Sequence, residues 1–181
     1  MTINKLGRSF PILFFVVLLA PSRVEAQGGD VASRMRARDQ AQRMIEAFVA
    51  GDLKIYAHYT YPPVLKLSGG EEGYIRQTKD FIETQKNQGL FITGASIGDA
   101  SIILKSGAGW ECTLPEQTMI QRKEGKYISQ STLIAVSVDG GKNWTFLDTS
   151  NHSLAEMRKA LPELNPGLVV KPPQPAVRYA N

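Results

Sequence analysis

From residue 31 to about residue 90 the apolar positions of this chain repeat every three or four residues; beyond that they cluster or alternate. The first pattern predicts helices and the second strands. Ala41, Met44, Ile45, Phe48 and Val49 form one stripe, which predicts an amphipathic helix from about Val31 to Ala50. Gln27–Asp30 reads as a flexible leader to it. Gly51 suits the left-handed residue that ends a helix, and Asp52 the cap of the next. That next piece is short, Leu53 to Tyr59. Pro62 and Pro63 then bar helix, so Val64–Leu67 reads as a short strand closed by Ser68-Gly69-Gly70. Ile75, Thr78, Phe81, Ile82 and Gln85 share a face of a second long helix, Glu71 to about Gln88, which Gly89 stops.

Strand-like runs follow at Leu90–Thr93, Ala100–Leu104, Gly109–Leu114, Met119–Arg122, Tyr127–Val138 and Trp144–Leu147. Turn signals separate them at Gly94, Gly98-Asp99, Ser106-Gly107, Pro115, Glu124-Gly125 and Asp139-Gly140-Gly141. Leu133–Val136 is apolar on both faces, so it predicts a central strand with a cover on each side. A short helix, Leu154–Leu161, ends at Pro162. The stretch 166–181 reads as a flexible, proline-rich tail that adds nothing to a core. Helices first and an antiparallel meander afterwards give an α+β plan: N-terminal helices on a strongly curved antiparallel sheet of about six strands, one domain over 31–165.

Phe48-Val49-Ala50-Gly51-Asp52, Tyr59-Thr60-Tyr61-Pro62-Pro63-Val64, Gly69-Gly70 and the closing Ser137–Asp148 stretch fall in a familiar order. Over Val31–Asp148 that order resembles the nuclear-transport-factor-2-like cone, the superfamily of SnoaL-like polyketide cyclases and ketosteroid isomerases, and in particular its small exported bacterial members. The resemblance implies a ligand cavity between the curved sheet and the helices. Its expected rim is Tyr56, His58, Tyr59, Tyr61, Trp110 and Glu111. An isomerase-like trio would draw on Asp99 or Glu111 with Tyr56 or Tyr59, although no carboxylate aligns with the isomerase base. The superfamily hosts enzymes, binders and assembly modules alike.

The N-terminus changes the picture of compartment. Lys5 and Arg8 precede an uncharged run, Phe10–Ala20, and Val24-Glu25-Ala26 offers the small residues a signal peptidase reads. Residues 1–26 are thus expected to be a signal peptide cut between Ala26 and Gln27. The run is about half of the ~20 residues a spanning helix needs, and no cysteine at the cut invites a lipid anchor. The mature chain is expected in the periplasm or outside the cell, soluble and free of the membrane. The leader carries about half of the formal charge of +4, so little remains to attract nucleic acid. Arg34, Arg36, Arg38 and Arg43 are interleaved with Asp39 and Glu46 and read as a solvated helix face.

Cys112 is the only cysteine. It alternates with Trp110 and Leu114, which places it on the apolar side of a strand as a buried, inert thiol. Only His58 and His152 are imidazoles, and nothing brackets either with ligands, so neither a metal nor another cofactor is expected. Asn143-Trp144-Thr145 and Asn151-His152-Ser153 satisfy the glycosylation rule and read as chance matches behind a bacterial leader. Ser137-Val138-Asp139-Gly140-Gly141-Lys142-Asn143-Trp144 has the spacing of an Asp-box. Sialidase propellers repeat such boxes on several blades, whereas one box in a chain this short predicts a braced hairpin: Ser137, Asp139, Gly141 and Trp144 as structure. The expected function is a non-catalytic exported module that binds a small apolar ligand or a protein partner in the cavity. The alternatives are an isomerase- or dehydratase-type enzyme in the same cavity, and a homodimer paired through its sheet.

Overall fold

The computed structural model describes residues 25–106 and 109–179; the expected signal peptide lies almost wholly outside them. The chain folds as α1 (Glu25–Ala50), α2 (Leu53–His58), α3 (Pro62–Leu67), α4 (Gly70–Asn87), β1 (Phe91–Ile97), β2 (Leu104–Ser106), β3 (Gly109–Arg122), β4 (Gly125–Ser137), β5 (Thr145–Asp148), α5 (Leu154–Ala160) and β6 (Gln174–Arg178). The α+β plan holds, with a six-stranded antiparallel sheet curled into a half-barrel, a shape compatible with a cone fold.

Two long strands, β3 and β4, form the sheet's spine, paired from Trp110↔Ser137 to Arg122↔Gly125. Each outer edge of that spine is shared by two short strands. On β3, β1 pairs with residues 116–121 and β2 with 109–111. On β4, β5 pairs with 133–136 and β6 with 127–130. Short, separate edge strands can tilt independently, and a register shift between Ile92 and Gly94 in β1 adds twist. The curl follows.

Alternation then sorts the side chains onto two faces. Cys112, Leu114, Leu133, Ala135 and Phe146 pack with Ala37, Ala41, Met44 and Ile45 of α1 on the concave face. Ala37 and Ala41 are small enough to let the helix lie close. On the convex face Ile134, Val136 and Leu147 pack with Tyr61, Met157, Leu161, Leu164 and Leu168. Both sides of Leu133–Val136 are therefore covered, as its composition predicts, one by α1 and the other by α5 and the chain after it.

Several elements differ from expectation, each for a local reason. Helix α1 already runs from Glu25, so the expected leader 27–30 is helical, and Asp30 is held by Lys105 Nζ at 2.6 Å. The expected cleavage point, Ala26–Gln27, lies in the first turn of α1. Val64–Leu67 is helix, not strand: Pro62 and Pro63 occupy the opening positions of α3, where a missing N–H costs nothing. Ala100–Leu104 is mostly loop, with strand only from Leu104. Pro115 does not break β3. Its carbonyl accepts from Gly98 N–H at 2.8 Å, so its nitrogen faces the same side, where β1 is leaving the sheet and no ladder bond is lost. The tail is extended but not idle: Gln174–Arg178 pairs with β4 as β6, and Leu168 is buried.

The arginines of α1 are not simply solvated. Arg34 Nε donates to the Ala100 carbonyl at 2.8 Å, Arg36 Nε to that of Gly141 at 2.8 Å, and Arg38 pairs with Asp99 at 3.2 Å. Gln42 Oε1 accepts from Ile97 N–H at 3.0 Å, and Gln40 Oε1 from Trp144 N–H at 2.8 Å. These polar flanks fasten α1 along both rims of the half-barrel, to the end of β1 on one side and to the β4–β5 hairpin on the other.

Candidate functional site

Helix α4 does not lie on the sheet as an apolar cover. It packs on α2 and α3, and Gly73 is its one fully buried residue. A hollow of about 660 Å³ is left between α1, α2, α4 and the concave face of the sheet, running past β5 to α5. Phe48, Tyr56, Phe81, Ile92, Ile120 and Leu133 give it mainly apolar walls. Tyr56 stacks on Tyr74 with ring centroids 5.8 Å apart and tilts against Phe48 at 5.0 Å. Desolvation of its hydroxyl, with the Tyr74 hydroxyl and the Asp148 charge as lesser causes, raises Tyr56 well above the usual phenol range.

One ionisable side chain sits in the floor. Glu116 belongs to β3 and follows Cys112 and Leu114 on the concave face, yet it is only 7 % exposed. Its oxygens accept from Thr118 Oγ1 at 3.3 Å and Ser131 Oγ at 3.2 Å. Burial and, next, the nearby Asp148 carboxylate push its carboxyl up to about 7, against the pull of the two hydroxyls. A carboxyl that carries its proton near neutrality can donate a hydrogen bond to a ligand, and can also exchange that proton. Asp148 itself is exposed at the end of β5, and its oxygens accept from the Ser150 N–H at 2.8 Å and the Ser150 hydroxyl at 2.6 Å. His152 and Glu156 stand at the same end of the hollow.

Of the six expected rim residues, the structure brings only Tyr56 to the hollow. His58 is exposed on the outside of α2, edge-on to Tyr59 at 5.3 Å. Tyr59 packs on Phe146 at 6.4 Å, where residues 59–61 bridge to β5 through Tyr61 N–H to Phe146 carbonyl at 2.9 Å. Tyr61 and Glu111 are on the convex side. Tyr61 donates its hydroxyl to Glu163 at 3.2 Å and is pushed up to about 12, chiefly by burial. Glu111 accepts from Asn165 N–H at 2.9 Å, and burial raises its carboxyl. Both brace the chain after α5. Trp110 packs beneath the first half of α1 with Lys105 Nζ 4.3 Å from its ring centre. Asp99 is exposed on Arg38. The isomerase-like trio is therefore not assembled.

The Asp-box residues do meet. Asp139 Oδ1 accepts from the N–H groups of Lys142 at 3.1 Å and Asn143 at 2.9 Å and from Ser137 Oγ at 2.9 Å; these bonds hold its carboxyl down at about 2. Gly141 has φ +78°, and a Cβ there would stand 2.7 Å from Ser33 Oγ and 2.9 Å from the Trp110 ring, so only glycine fits under α1. Trp144 is 1 % exposed and donates Nε1–H to the Gly141 carbonyl at 3.2 Å. Cys112 is fully buried, and burial pushes its thiol up to about 12, which leaves no thiolate for chemistry.

Glu116 was hidden by its neighbour. Pro115 reads as a turn and cuts the alternation that begins at Trp110, so the next core-facing position, a carboxylate, is not seen as one. Continuing the period of two through the proline would have flagged it. Among the described residues no group of three His, Cys, Asp or Glu could hold a metal ion, and no helix is long and apolar enough to cross a membrane. Compared with protein-family models and with curated proteins, the chain matches none.

Proposed function

We propose that this chain is an exported module of the nuclear-transport-factor-2-like cone type that holds a small, mainly apolar ligand in the hollow, with Glu116 as its polar anchor. The observation that carries this reading is the hollow itself: about 660 Å³, walled by apolar and aromatic side chains, with one buried carboxyl in its floor. Ligand pockets of roughly 300–1,000 Å³ with few polar groups suit molecules on the order of a few hundred daltons. The order of elements, helices before a curled sheet, favours the cone assignment; α3 in place of a first short strand departs from it.

A second reading, proton transfer on a bound carbonyl compound, is favoured by one feature. Glu116 titrates near neutrality, where a carboxyl serves best as acid or base. Native mass spectrometry of the protein released from the periplasm of its own host tests both. The expected spectrum shows a chain beginning at Gln27 with a non-covalent adduct, which transfers to purified apo-protein. Deuterium uptake at carbon when that adduct is held by the protein in D₂O would select the enzymatic reading. A bare chain that takes up nothing from the host extract would refute both.

A further inference from the structure

The hollow's charge runs against that of the chain. Lysine and arginine outnumber aspartate and glutamate by 21 to 17 overall, yet among the described residues lining the hollow there is no lysine or arginine. Its charged lining is Glu116, Asp148 and Glu156, with His152 at one end. We infer that the ligand is an organic cation, an amine or quaternary ammonium group on an apolar body. The inference rests on the reading of the hollow as a ligand site.

Glu116 is buried with two neutral hydroxyls as its partners, and Asp148 adds negative charge from β5 with no lysine or arginine in the lining. A buried carboxylate is costly until a cation meets it. A ligand carboxylate would instead meet the Asp148 and Glu156 charges at the rim and keep Glu116 protonated, gaining no ion pair. The walls suit a cation too. Phe48, Tyr56, Tyr74 and Phe81 all line the same space, and aromatic rings attract ammonium groups through their negative quadrupole. Glu156 is engaged by Ser153 in the cap of α5 and contributes its field from the rim.

Isothermal titration of the purified protein with three ligands of equal chain length separates the terms: decyltrimethylammonium, decanol and decanoate, each below its micellar concentration at neutral pH. The cation should bind about tenfold more tightly than decanol, and decanoate more weakly still. Glu116→Gln should bring the cation down to the level of decanol and leave decanol within about threefold. The wild-type ranking decides the matter even if that variant folds poorly. Decanoate binding as tightly as the cation would overturn the inference while leaving the apolar ligand site intact. Failure of all three to bind would overturn the ligand site and the inference together.

Discussion

Replacing Trp144 by alanine is expected to cost about 3–5 kcal/mol of folding free energy, the range for deleting a buried large aromatic. For a domain of this size that lowers the midpoint of thermal unfolding by on the order of 10 °C. The ring is 1 % exposed in the concave core, and its Nε1–H holds the Gly141 carbonyl that also accepts from Arg36 of α1. The Trp144 N–H is the donor to Gln40, one turn further along α1. Loss of the ring thus opens a cavity and loosens the joint that pins α1 to the hairpin. Trp144→Phe keeps most of the packing and should lose only about 1 kcal/mol with the indole bond. Urea unfolding of the two variants checks this. A loss below about 1 kcal/mol for Trp144→Ala would mean that the hairpin does not hold the helix.

The second large effect is a pH slope from Glu116. Its carboxyl titrates near 7 in the folded protein, against an ordinary value of 4.5 that it regains on unfolding. Between those values the folded state holds a proton that the unfolded state has lost. Stability therefore falls as pH rises from about 4.5 to about 7, and is level above that. The total is on the order of 3 kcal/mol. Glu116→Gln should flatten this component, matching the wild type at pH 4 and exceeding it at pH 8 by on the order of 2–3 kcal/mol. Glu111, also raised by burial, slopes the same way in both proteins and cancels in the difference. Asp139, held down at about 2, contributes stability that is lost only as pH falls through about 4 toward 2, below the range compared. Denaturation midpoints from pH 4 to pH 8 test it: parallel curves for the two proteins would contradict the buried, protonated carboxyl.

What was legible in the sequence is what depends on periodicity and turn chemistry. The α1 stripe, the stop at Gly89, the doubly covered Leu133–Val136 and the Asp-box bonds of Asp139 all follow from local patterns that the fold respects. The failures cluster at prolines. Pro62 and Pro63 break a helix only in its interior, and at its start they are compatible with α3. Pro115 breaks a strand only where its missing N–H is needed, and here it faces a departing neighbour. The candidate site was harder, because a cavity is a product of tertiary spacing. Tyr56 and Tyr59 lie on the same short helical stretch, yet one turns to the hollow and the other to Phe146. Glu111 and Glu116 share a strand, but they stand an odd number of positions apart, so they face opposite sides of the sheet.

The central claim is that the space between the helices and the concave sheet takes the ligand. Intermolecular NOEs between bound decyltrimethylammonium and the methyl groups of the protein locate it directly. Contacts to Ile92, Ile120 and Leu133, with none to Met119, Ile128 or Val177, are the predicted result. Contacts confined to Met119, Ile128 and Val177, the apolar residues at the outer end of the convex face, would contradict it.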